Sequence, residues 1–177
     1  MRKRKIYFIL YYLLAAWLPA TVKPFGRLAR RVRRFYARRM FVSCGKNVNV
    51  ERKAYFGFNE VSLGDNSGIG INFHLQGASL VIGNDVLMGP NVTVLGAGHN
   101  FEDPDTPIRL QGNKPKTHLE VGDDVWIGQG VTILPGTKHI GKGAVVGACS
   151  VVTRDVPEYA VVAGNPAHVV RYRGKSE

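Results

Sequence analysis

Of the five histidines in this 177-residue chain, His99 alone stands where a regular spacing of aliphatic residues breaks off. A neutral imidazole near pH 7 is poised to take a proton from a hydroxyl while that oxygen attacks an electrophile. Its second nitrogen needs an orienting partner, and Glu102, Asp103, Asp105 or a backbone carbonyl could each serve. His74, His118, His139 and His168 keep the plainer reading of solvated or packing residues. The two cysteines, Cys44 and Cys149, show neither metal-ligand spacing nor a disulfide framework, so no metal is expected and a reducing compartment is compatible.

The elements that position His99 follow from the spacing itself. Leu63, Ile69, Leu75, Ile82, Met88, Val94, Val121, Ile127, Ile133, Ile140, Val146 and Val152 open twelve hexads, eight of which continue with glycine. The exceptions, Gln76, Leu95, Leu134 and Thr153, fall on every third hexad, so three hexads make one coil. Each hexad supplies a short strand and a corner, and coils stack at about 4.8 Å because none buries its own apolar layer alone. Coil starts at Leu63 and Ile82, and at Val121 and Ile140, are nineteen residues apart, and a degenerate earlier coil starts at Cys44. The expected fold is all-β, a parallel β-helix over 44–173 with an ejected loop at 96–120, a helical arm at 1–43 and a short tail at 174–177.

These features resemble the hexapeptide-repeat acyltransferases, in the branch of maltose-type and surface-polysaccharide O-acetyltransferases. The segments that carry the resemblance are Ile82-Gly83-Asn84-Asp85-Val86, Gly98-His99-Asn100-Phe101, Val125-Trp126-Ile127-Gly128, Ile133-Leu134-Pro135-Gly136, Ser150-Val151-Val152-Thr153-Arg154-Asp155-Val156-Pro157 and Ala163-Gly164-Asn165-Pro166-Ala167. The resemblance implies a left-handed coil, against the usual right-handed crossover preference. It implies a homotrimer with each site shared between neighbours, and acetyl-CoA as co-substrate. His99 would be the general base, with direct attack in a ternary complex and no covalent intermediate. The family's cofactor contacts fall on Gln129, Ala148, Thr153, Arg154 and Arg171, with Trp126 either a contact or a packing anchor. Arg154 and Arg171 suit the CoA phosphates. His168 replaces a residue that is often basic in the family, and Cys149 occupies a corner usually held by glycine.

On the acceptor side, counting back from Ile82 places Ile69 and Gly77 where maltose-type enzymes hold sugar hydroxyls, and leaves Asn72 as the nearest candidate. A simple maltose or galactoside acceptor is therefore disfavoured. Asp105-Thr106-Pro107-Ile108 and Gln111-Gly112 look like the branch that modifies surface glycans, which points to a polysaccharide or its lipid-linked precursor. The rival readings are a non-catalytic β-helix scaffold and an acyl carrier protein-dependent acyltransferase. Zinc catalysis like that of the carbonic anhydrases on this fold would need a His-x4-His pair, which the sequence lacks.

The charge divides sharply along the chain. Residues 1–40 carry twelve Lys and Arg and no acid, whereas residues 41–177 carry twelve basic and thirteen acidic residues, so the net +11 belongs to the arm. Its apolar run of thirteen residues from Ile6 to Leu18 reaches about 20 Å as a helix, short of the roughly 30 Å hydrocarbon core. Leu18-Pro19-Ala20 is a poor cleavage site, which disfavours a secretory signal. In the following basic stretch Leu28, Val32, Phe35 and Tyr36 share one helical face. The arm is expected to lie in the plane of an anionic inner leaflet, a cytoplasmic and peripheral placement. Capping the open end of the β-helix is the alternative, and nucleic acid is the least favoured partner.

Overall fold

The computed structural model describes residues 2–174, so the expected tail lies, beyond Gly174, outside the described residues. The body is a three-faced stack of short strands. Face one holds β1 (Ser43–Cys44), β3 (Val61–Leu63), β6 (Ala78–Ile82), β9 (Thr117–Val121) and β12 (His139–Ile140), all parallel neighbours in that order. Face two holds β2 (Asn49–Val50) and β4 (Gly68–Ile69), then β7 (Leu87–Met88), β10 (Trp126–Ile127), β13 (Val145–Val146) and β15 (Ala160–Gly164). It closes with an antiparallel strand, β16 (Ala167–Tyr172). Face three holds β5 (His74–Gln76), β8 (Thr93–Leu95), β11 (Thr132–Ile133) and β14 (Val151–Val152). From β3 to β14 successive strands visit the faces in turn, and the register confirms the nineteen-residue coil: Cys44 pairs with Leu63, Leu63 with Ile82, and Val121 with Ile140.

Eleven of the twelve ladder residues are buried, Met88 being only partly so. Each buried aliphatic side chain contributes about 1.5–3 kcal/mol against leaving it exposed. The hexad glycines answer a steric demand. A Cβ on Gly70 would overlap the carbonyl oxygen of Gly89 in the coil above, and one on Gly89 would come within 2.7 Å of the Gln129 nitrogen.

The corners impose a second rule. One residue per coil at each of two prism edges adopts a left-handed backbone: Asn47, Asn66, Asp85, Asp124 and Gly143 at one, Lys53, Asn72, Asn91, Gly130 and Cys149 at the other. Asparagine, aspartate and glycine tolerate that region best. The asparagines also link the coils, with Asn66 Nδ2 donating to Asp85 at 2.9 Å and Asn72 Nδ2 to Asn91 at 3.0 Å.

The arm forms α1 (Arg2–Leu10), a π-helical turn (Tyr11–Ala15) and α2 (Gly26–Met40). It caps the first coil: Phe8, Tyr11, Ala15, Ala37 and Met40 join Val48, Val50, Ala54 and Phe56 in one core. Burial raises the Tyr11 phenol well above its ordinary range, and the neutral hydroxyl donates to the Ala54 carbonyl. The arm thus caps the open end of the β-helix. The buried side of α2 is Gly26, Ala29, Arg33, Ala37 and Met40, whereas Leu28 and Phe35 of the expected apolar face are exposed. Arg33 is fully buried because its donors are spent on the Val50, Leu18 and Pro19 carbonyls and on Glu51 at 3.4 Å. Burial would raise the Glu51 carboxyl, but hydrogen bonds from Thr21 and Asn49, with the Arg33 charge, hold it below its ordinary value.

Candidate active site

The ladder is interrupted once, between β8 and β9, where the chain leaves the corner that Gln76 and Gly77 turn directly one coil earlier. The departure leaves the wall intact: Ala78 to Ile82 stay paired with Thr117 to Val121, and the Thr117 N–H lies within hydrogen-bond reach of both the Gly77 and Gly96 carbonyls. Within the loop, His99 forms an antiparallel bridge with Asn113, Asn100 N donates to Gly112 O, and Lys114 N donates to Gly98 O. Gln111 closes the far end, its amide donating to the Thr106 and Asp103 carbonyls at 2.6 and 2.7 Å. The Gln111-Gly112 signal therefore has a structural role as a staple.

His99 is exposed and opens onto a cleft of about 560 Å³ whose wall includes Phe101, Ile108, Lys114, Pro115 and Pro135. The lining is mainly apolar, which suits a site that keeps water from a reacting carbonyl. Two of the three acids considered as orienting partners are engaged elsewhere, and Asp105 makes no contact with the imidazole. Asp103 is held below the ordinary carboxylate range by hydrogen bonds from the Thr106 side chain and the Asp105 N–H, while Glu102 pairs with Lys114 at 3.7 Å. No side chain among the described residues bonds the His99 imidazole, so both ring nitrogens are open. Phe101 and Ile108 enter the sequence reading only within quoted segments and Lys114 not at all, since a loop without periodicity gives no inward-facing signal. The Lys114 ammonium lies 4.3 Å from the Phe101 ring centroid, and the two form one side of the cleft.

The expected cofactor residues divide into two sets. Leu95, Leu134 and Thr153 stack in successive coils at the edge where the loop leaves, with Leu134 N donating to Val152 O at 2.8 Å. Pro135, which lines the His99 cleft, is thus followed one coil on by Arg154. Arg154 and His168 meet in a smaller cavity of about 140 Å³ with Asp155, Pro157 and Val169. The second set lies across face three. Trp126, Val145, Val161 and Arg171 form one register row on face two, and Gln129 and Ala148 turn the adjoining corner. Trp126 is 56% exposed beside an exposed Leu87, so it points outward and is not an internal packing anchor. Asn72 sits at that same edge in its corner bond to Asn91, and is not part of the His99 cleft within one chain. Among the described residues no group of His, Cys, Asp and Glu could hold a metal ion.

No family model matches the chain. Comparison with individual proteins is informative. The Saccharomyces cerevisiae protein YJL218W, which carries an acetyltransferase name, is 43% identical over 76% of this chain and 67% of its own length. The galactoside O-acetyltransferase of Escherichia coli K12 is 37% identical over 75% of this chain and 64% of its own. The Escherichia coli K12 protein WbbJ, named as a lipopolysaccharide biosynthesis O-acetyl transferase, is 33% identical over 66% of this chain and 62% of its own. The chain thus matches about two thirds of the length of these relatives. A solved galactoside acetyltransferase in complex with coenzyme A superposes with a TM-score of 0.79 at 32% identity, covering 97% of this chain and 80% of that one. With its hexad coils, its single ejected loop and these likenesses, the chain belongs to the hexapeptide-repeat acetyltransferase family that includes the galactoside O-acetyltransferases.

Proposed function

We propose that the protein transfers the acetyl group of acetyl-CoA to a hydroxyl of a sugar in a surface polysaccharide or its lipid-linked precursor. His99 takes the hydroxyl proton as the oxygen attacks the thioester carbonyl. The tetrahedral oxyanion collapses with loss of the CoA thiolate, and the imidazolium returns the proton to sulfur. A positioned base of this kind contributes on the order of 10²–10⁴ in rate. The observation that carries this reading is the unpaired His99 imidazole at the mouth of a largely apolar cleft, in a chain of this family. The lipopolysaccharide name of one relative supports a glycan acceptor.

The coil is taken as left-handed, as in the family. The separation of Thr153 and Arg154 from Trp126, Gln129, Ala148 and Arg171 supports a shared site, in which the loop edge of one copy faces the face-two side of another in a homotrimer. That arrangement would also cover the exposed Leu87 and Trp126. Among the described residues no helix is long and apolar enough to cross a membrane, and the basic arm supports a peripheral position on the cytoplasmic face.

Release of CoA thiol, followed with lipid-linked oligosaccharide and with water-soluble sugars as acceptors, tests the proposal. Transfer to the lipid-linked acceptor that disappears in His99→Ala is expected. Failure of every glycan acceptor with a folded, acetyl-CoA-binding protein would overturn the acceptor class.

A further inference from the structure

The arm has an outer side that the capping contact does not use. Arg27, Arg30, Arg31 and Arg34 line a cavity of about 330 Å³ with Thr21 and Asn47. Arg30 is fixed there, its Nη2 donating to the Asn47 carbonyl and side-chain oxygens, both at 3.0 Å. Arg27, Arg31 and Arg34 have no carboxylate partner among the described residues, and no acid lies anywhere in residues 1–40. Three guanidinium groups converging without a counterion form an anion site, and arginine favours phosphate oxygens in particular. The site is not an extension of the CoA region, because the arm packs on the first coil whereas Arg154 and Arg171 belong to the last.

Apolar side chains stand beside it without cover. Val22 is 88% exposed and Phe25 82%, with Leu28 one helical turn on. Phe25 holds a left-handed backbone that a bulky residue rarely adopts, and its ring is turned to solvent. Along α1, the π-helical turn and the turn that follows it, Ile6, Ile9, Leu13 and Trp17 recur three or four residues apart and are all exposed, whereas Phe8, Tyr11 and Ala15 are buried.

We infer that this outer side is a docking surface for an anionic lipid bilayer, with a lipid phosphate in the pocket of Arg27, Arg30, Arg31 and Arg34 and with Val22, Phe25 and Leu28 set into the interface beside it. A free phosphate compound would account for the arginines but not for the apolar fringe. An anionic membrane matches both, since in-plane helices bind through apolar insertion together with basic contacts to head groups. The inference deepens the peripheral placement proposed above and is independent of the acetyl-transfer chemistry.

Co-sedimentation of the full chain with phosphatidylcholine vesicles, with and without phosphatidylglycerol, tests it. The wild type should partition onto the anionic vesicles selectively. Arg27→Gln, Arg31→Gln and Arg34→Gln together should weaken that partitioning on the order of 100-fold, from the usual contribution of each basic residue near the surface. Val22→Ser with Phe25→Ser should weaken it as well. Val22, Phe25, Arg27 and Arg31 are exposed and Arg34 is half-buried without a carboxylate partner, so melting temperature and acetyl-CoA affinity should stay unchanged, which separates a failure here from a failure of the acetyltransferase reading. Equal binding to neutral vesicles, or wild-type binding by the triple variant, would each overturn the inference.

Discussion

The same prism corner is turned in two ways in neighbouring coils. After Gln76 a single glycine, Gly77, returns the chain to face one, whereas after Leu95 the chain departs into the His99 loop before Thr117 resumes the wall. The wall is indifferent to the difference: β3 pairs with β6 at a spacing of nineteen residues and β6 with β9 at thirty-nine, in one sheet and without a register shift. Loop closure entropy rises only slowly with length, so an excursion clamped at its base costs the coils little. Shape and chemistry are therefore carried by separate residues, and substitutions should separate stability from activity.

The largest expected effect is on activity alone. His99→Ala should lower acetyl transfer on the order of 10²–10⁴-fold, the usual contribution of a positioned base, with no change in the denaturation midpoint. A parallel loss of stability would mean that the loop is part of the wall. The converse is Ile127→Ala. Truncating this fully buried side chain should cost about 2–5 kcal/mol in chemical denaturation while the folded fraction keeps its turnover.

Gln111→Ala gives an intermediate test. Without the amide that spans Thr106 and Asp103, the loop should lose order and turnover should fall roughly tenfold, in line with about 0.5–1.5 kcal/mol for each of two lost hydrogen bonds, at constant melting temperature.

The junction between arm and coil should respond to pH. Glu51 has its folded pKa depressed, so its contribution is present above the unfolded glutamate value of about 4.3 and is lost as pH falls through the lower folded value. Wild-type stability should drop through that acid range, and Glu51→Gln should flatten the profile. The smallest effect is a gain. Cys149 holds φ of +60° in a column shared with Asn72, Asn91 and Gly130, and Cys149→Gly should stabilise the fold by about 1 kcal/mol in thermal melts.

What the sequence could reveal depended on range. The coils were legible because a hexad is a local pattern repeated many times, and the register follows once one coil length is counted. The corner columns were present too, as Asn47, Asn66 and Asp85 at nineteen-residue steps in one and Asn72 and Asn91 in the other, and Cys149 belongs to the second, at a left-handed corner. The buried side of α2 was hidden because alanine and an arginine do not register as an apolar stripe, and Arg33 is buried only through partners supplied by residues 18–21 and by the first coil. The hexad count already separates Gln129 and Ala148 from Thr153 and Arg154, but Arg171 joins the Trp126 row only through the antiparallel pairing of β15 with β16, which lies outside the hexads. His99 was legible as a break in the ladder, but its surroundings were not, because Phe101, Ile108 and Lys114 meet only when the loop folds on itself.

Calorimetric titration of acetyl-CoA into the wild type and into Arg154→Ala, Arg171→Ala tests the central claim without knowledge of the acceptor. Saturable binding near one per chain is expected, weakened on the order of 10²-fold or more in the double variant by loss of two charge-assisted contacts. A folded protein that takes up no acetyl-CoA, or a double variant that binds like the wild type, would contradict the account.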